Sequence, residues 1–134
     1  MNKLVTSSTA IAVFLLAGCA ASGPKLASSA ADIVGTWHTP ASSVELQFNE
    51  DGTTRIKTAQ GTDVIREFRF EGTRFFSTDI PNGGCTHIEA ETGIYEVELL
   101  ANGNLKFTVI EDECAIRVSS ITGALIEREW EPVP

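Results

Sequence analysis

Three cysteines, two histidines and a scatter of carboxylates and arginines are the side chains with chemistry to offer in this chain of 134 residues. A thiol serves as a nucleophile, a metal ligand or half of a disulfide, and spacing separates these roles. Cys19, Cys85 and Cys114 lie far apart, whereas a redox dithiol has CxxC spacing and a structural zinc site draws on close ligand pairs. His87 stands near Cys85 in the run CTH, and His38 is distant from both, so no metal-ligand set is recognisable. No G-x-S-x-G elbow or HExxH helix occurs. Pro81-Asn82-Gly83-Gly84 has the glycines of a phosphate loop but runs into Cys85 with no helix after it. The carboxylates of Glu89-Ala90-Glu91 and Glu111-Asp112-Glu113 lack the geometry that would divide them into acid and base. The expectation is a protein that is not an enzyme and uses neither cofactor nor metal.

What Cys19 does depends on what precedes it. The chain opens Met1-Asn2-Lys3 and becomes strongly apolar only from Ile11 to Leu16, too short for a membrane span of roughly 20 residues. A charged start, a short apolar segment and then small residues form a secretory signal. Leu16-Ala17-Gly18-Cys19 resembles the bacterial lipoprotein box, in which the thiol receives a diacylglyceryl group and the signal is cleaved just before it. The resemblance implies a signal peptide over 1–18 and a mature chain held to the membrane through lipid on Cys19. Each buried CH₂ of an acyl chain contributes about 0.8 kcal/mol, and two or more chains anchor stably. Ala20 follows, rather than the aspartate of inner-membrane retention, which implies the outer membrane of a two-membrane bacterium, facing the periplasm. With Cys19 assigned, Cys85 and Cys114 remain as an even pair in an oxidising compartment. They are expected to form a disulfide, whose loop closure stabilises by about 3.5 kcal/mol.

The elements that must position these residues follow from pattern. Residues 19–31 are alanine, serine and glycine with little else and are expected to be a lipid-anchored flexible tether. A single domain is expected over 32–134. Its pattern is short alternating stretches separated by turn signals: VGTWHT, SVELQF, TRIKTA, DVIREFRF, RFFSTDI, GIYEVELL, LKFTVI and ALIEREW. SVELQF puts Val44, Leu46 and Phe48 on one face. NEDGT, EGT and ANGN supply tight turns. Eight short antiparallel strands and no convincing helix predict an all-β fold, a small up-and-down eight-stranded barrel, which leaves no exposed sheet edge. Such a barrel is either filled by its own side chains or holds one small ligand. The formal net charge of −8 argues against nucleic acid, which needs a basic stripe to displace counterions. It argues equally against lying flat on anionic lipid.

Gly35-Thr36-Trp37 at the start of the first strand resembles the G-x-W signature of lipocalins and the wider calycin group, in which an arginine from near the end of the chain packs across the tryptophan. The later positions Cys85, Gly93, Tyr95, Val97, Leu105, Phe107, Val109, Asp112, Cys114 and Arg117 are similar to the second half of small bacterial lipocalin-like domains. The resemblance runs from about Asp32 to the C-terminus. It implies a lipocalin-like barrel closed structurally by Gly35, Trp37 and Arg117, the cation resting on the indole. The T-D-Y motif of the larger lipocalins is absent and the domain is shorter than theirs, which leaves the depth of any ligand cup open.

Two further arginines fall on apolar faces. Period two groups Val64, Arg66, Phe68 and Phe70 in one strand and Ala124, Ile126, Arg128 and Trp130 in another,. Glu111 shares the face of Leu105, Phe107 and Val109 if its strand runs that far. Charges are rarely buried unpaired, so Arg66, Arg128, Glu111 and, beside them, Tyr95 are the candidate ligand-binding residues; the alternative is that the arginines lie at barrel rims and reach water. The expected function is a lipid-anchored envelope module binding a small apolar or amphipathic ligand. The second reading is a filled barrel that acts through its surface on an envelope protein, as partner or inhibitor. Inward-pointing Phe48, Phe68, Phe70, Phe75 or Phe76, Phe107 and Trp130 would favour the second reading.

Overall fold

A computed structural model describes residues 23–40, 42–80, 85, 92–115, 117 and 128–134. The strands are β1 (Lys25–Leu26), β2 (Gly35–His38), β3 (Glu45–Phe48), β4 (Thr53–Lys57), β5 (Asp63–Glu71), β6 (Arg74–Asp79), β7 (Thr92–Leu99), β8 (Leu105–Glu111) and β9 (Glu129–Pro132). From β2 to β9 each strand pairs antiparallel with the next, and β9 returns to pair with β2 through Trp37↔Pro132 and His38↔Glu131. The result is a closed, up-and-down, eight-stranded antiparallel barrel with the lipocalin-like strand order. The eight patterned stretches of the sequence are β2 to β9. Of the last of these, only Glu129–Pro132 is strand among the described residues; residues 118–127 lie outside them.

Alternation decides which side chains enter the barrel. Leu46 and Phe48 of β3, Thr54 and Ile56 of β4, Arg66 and Phe68 of β5, Phe75, Ser77 and Asp79 of β6, and Tyr95 and Val97 of β7 are buried, while their immediate neighbours face outward,. On the outer wall the exposed positions pair across strands, Arg55 with Asp63 and the Arg69 guanidinium over the Phe76 ring at 4.2 Å, and Arg69 also pairs with Glu71 along β5.

One strand lies outside the patterned eight. Lys25 and Leu26 pair with Leu99 and Glu98, Ala27 N–H donates to the Val97 carbonyl at 2.8 Å, and Ala27 is fully buried. A single 3-10 turn at Ala30–Asp32 follows. The Asp32 carboxylate accepts from the Ser28 and Ser29 backbone and meets Lys25 Nζ at 3.6 Å. These contacts, led by the Ser28 N–H, hold the Asp32 carboxyl below its ordinary range. Lys25–Ala27, expected within the tether over 19–31 and ahead of a domain start at Asp32, are thus docked on β7, while residues 19–22 lie outside the described residues.

Candidate functional site

The barrel has two unlike ends. At one end β2, β4, β6 and β8 begin and β5 and β7 finish; at the other β5 and β7 begin and β6 and β8 finish. Gly35 opens β2 at the first end with φ of 139°, a backbone that favours glycine,. Two residues on, the Trp37 indole N–H donates to the Ile33 carbonyl at 2.8 Å and the ring is buried. The interior above it is aromatic. Phe48 meets Phe68, Phe75 and Phe107 at ring separations of 5.4 to 6.1 Å, and Phe75 also meets Phe70 and Tyr95, distances at which edge-to-face and offset pairs attract. Phe107 and Trp130 are fully buried, and Phe70 packs against this cluster while Phe76 faces outward. One groove of about 340 Å³ lies on the outer wall between Asp51, Glu67, Arg69 and Thr78.

The second end is polar. Arg117 is fully buried, and its guanidinium binds Asp112 through two hydrogen bonds, Nε to Oδ2 and Nη2 to Oδ1, each 2.7 Å. Its Nη1 lies 3.4 Å from Asp79. Arg66, itself buried, reaches the same Asp79 oxygen at 2.8 Å, although neither Arg66 Nε nor that oxygen has an aligned hydrogen-bond partner. The Tyr95 hydroxyl donates to Asp112. Two cations thus face two anions with a neutral phenol. Burial disfavours the Asp112 carboxylate, but the bonds from Arg117 and Tyr95 outweigh it and hold this carboxyl below its usual range. Burial, then the bond to Asp112, pushes the Tyr95 hydroxyl well above the ordinary phenol range. Burial also lowers Arg66, only partly offset by Asp79.

The same carboxylates hold the disulfide. Cys85 and Cys114 are bonded, with Cα atoms 6.0 Å apart and both residues buried. The Cys85 N–H donates to Asp79 at 3.2 Å and the Cys114 N–H to Asp112 at 2.9 Å. Each aspartate therefore joins one half-cystine to the Arg117 guanidinium. Gly93 makes room for this: a Cβ there would sit 2.6 Å from Asp112 and 2.7 Å from the Tyr95 hydroxyl.

Several candidate residues are placed differently from expectation. Arg66 does face inward, and it is paired with Asp79 instead of reaching water from a rim. Tyr95 belongs to the same cluster. Glu111 does not: a bulge on β8, where the register shifts between Ile94↔Glu111 and Tyr95↔Val109, turns Glu111 outward and brings Asp112 in, because an extra residue reverses the faces beyond it. Arg128 is half-buried just ahead of β9 and joins no ion pair among the described residues, while Ala124 and Ile126 lie outside those residues. Arg117 is engaged by Asp112 and Asp79 at the polar end, and the Trp37 indole is bonded to the Ile33 carbonyl. Asp79 was not singled out by sequence reasoning. Asp112 was present in the D-x-C-x-x-R string, where an acid and a base flanking a cysteine were the available signal. Cys19 and His87 lie outside the described residues. Among the described residues no group of three or more His, Cys, Asp or Glu is arranged to hold a metal ion, and no helix is long and apolar enough to cross a membrane.

Comparison with protein-family models, with curated proteins and with solved structures finds no match to the chain.

Proposed function

We propose that this protein is a lipid-anchored, lipocalin-like binding module of the bacterial cell envelope that recognises its partner at the surface of a filled barrel, not in a deep cup. The observation that carries this reading is the packed interior, where Phe48, Phe68, Phe75, Phe107 and Trp130 are each no more than 6% exposed. A pocket for a drug-sized ligand occupies about 300 Å³ or more, and these inward-facing rings take interior space that such a ligand would need. The partner class is an envelope protein, met as interaction partner or inhibitor target, with the barrel held at the outer membrane through Cys19. A photo-crosslinker placed at Gln60, an exposed position in the β4–β5 hairpin at the polar end, is the test, read in intact cells beside native mass spectrometry of the purified protein. A discrete protein adduct together with a bare lipoprotein mass supports the reading. A stoichiometric small molecule that co-purifies with the protein contradicts it.

One observation favours a second reading. The Arg66 side chain is only 9% exposed, yet among the described residues its Nε has no aligned hydrogen-bond partner. A guanidinium so placed suits the acidic head of a small amphipathic ligand. If that ligand exists, the co-purifying mass disappears in Arg66→Ala.

A further inference from the structure

The N-terminal strand bears on how the molecule is displayed. We propose that the polypeptide itself orients the barrel on the bilayer: the end bearing the β5–β6 and β7–β8 hairpins faces the membrane, and the end bearing Cys85–Cys114 and the Arg117 cluster faces away. This rests on the reading of Cys19 as the lipid attachment point and adds to it a membrane-facing surface.

The argument begins with register. β1 runs antiparallel to β7, with Lys25 opposite Leu99 and Leu26 opposite Glu98, so the chain ahead of Lys25 leaves past the finish of β7. That is the end where the β5–β6 turn at Gly72 and the β7–β8 turn at Gly103 lie. The docking is firm. Ala27 is fully buried and bonded to the Val97 carbonyl, and Lys25 is paired with Asp32. Only residues 20–24 separate Cys19 from β1. Those six steps span at most about 20 Å when fully extended.

The barrel is as tall as that full reach or taller. β5 has nine residues, about 30 Å of strand at 3.3 Å per residue, and a tilt of about 35–45° leaves about 20–25 Å between the two ends. A lipid attached at Cys19 therefore cannot bring the disulfide end down to the head groups. Resting on the side wall is disfavoured by charge, because the chain carries a formal −8 and bacterial envelope lipid is commonly anionic. The membrane-facing end is polar: Glu71, Arg74, Asn102 and Glu129 are exposed there, and Asn102 and Asn104 both donate to the Glu129 carboxylate. It rests at head-group level without inserting.

The test uses the mature protein extracted from membranes and reconstituted in nanodiscs that contain gadolinium-chelating head groups, with the intact mass of the same sample recorded. Loss of the Gly72 and Gly103 amide signals with retention of Gly61, which lies in the β4–β5 hairpin at the far end, is the expected result. A long Gly/Ser insertion after Ala20 restores the two lost signals, because it frees the barrel from its short leash. Equal broadening of all three glycines, loss confined to Gly61, or broadening unchanged by the insertion overturns the orientation while leaving the lipoprotein reading intact. A mass that shows no lipid on Cys19 overturns both together.

Discussion

The two ends of this barrel solve the same problem, filling an interior, by opposite means. Around Phe48 and Phe75 the space is taken by rings whose attraction is mostly non-directional,. Around Arg117 it is taken by two arginines, two aspartates and a phenol that pair with one another. At the aromatic end a trimmed ring loses packing but strands no charge. At the polar end, removing one member strands a charge away from water. The difference suggests that the aromatic end supplies bulk stability while the polar end fixes one arrangement of the chain segments tied to the disulfide.

Substitutions that set the ends against each other sharpen this contrast. Asp112→Ala leaves Arg117 with its two strongest bonds gone and should destabilise by about 3–5 kcal/mol in denaturant unfolding. The double replacement Asp112→Leu with Arg117→Met should recover most of that loss, and failure to recover would show that the clamp adds net stability beyond mutual neutralisation. The paired change Cys85→Ser and Cys114→Ser should cost about 3.5 kcal/mol by loop entropy, again measured by unfolding. Gly93→Ala places a methyl against Asp112 and Tyr95 and should cost about 1–3 kcal/mol, as overpacking does. At the aromatic end, Phe75→Leu should cost less than about 1.5 kcal/mol; a larger loss there than for Asp112→Ala would invert the comparison.

The smallest effect is a pH dependence. The folded Tyr95 hydroxyl is raised above its unfolded value of about 10,, so the unfolded chain releases this proton first. Stability is then complete below about pH 10 and falls as pH rises beyond it. Tyr95→Phe should remove that alkaline slope in thermal unfolding. Asp112 has the opposite sign: its folded carboxyl is lowered, so its contribution is present above about pH 4 and fades as pH falls further.

Much of the architecture was legible because period-two alternation is strong wherever one face is buried. SVELQF and DVIREFRF state their faces outright, and Arg66 was correctly placed among inward residues. β1 was not legible, since two residues cannot display a period and KLASSAAD has the composition of a linker. The bulge on β8 has no compositional mark, and without it Glu111 takes the interior position that Asp112 holds. The disulfide pair followed from counting cysteines, but its support by Asp79 and Asp112 depends on backbone N–H groups, which every residue carries and no pattern reveals. Arg117 was found through resemblance, but its pairing with the carboxylates of Asp112 and Asp79 was not, because only register decides which acids come near a guanidinium.

The claim that the barrel is filled is tested most directly by titrating the protein with an apolar fluorescent probe whose emission rises in a dry cavity. The wild-type protein is predicted to show no saturable rise, and Phe75→Ala, which opens a void where Phe48, Phe68 and Phe107 converge, to acquire one. Saturable binding by the wild type, displaced by fatty acids and lost in Arg66→Ala, would contradict the account and return the interior to the role of a ligand cup.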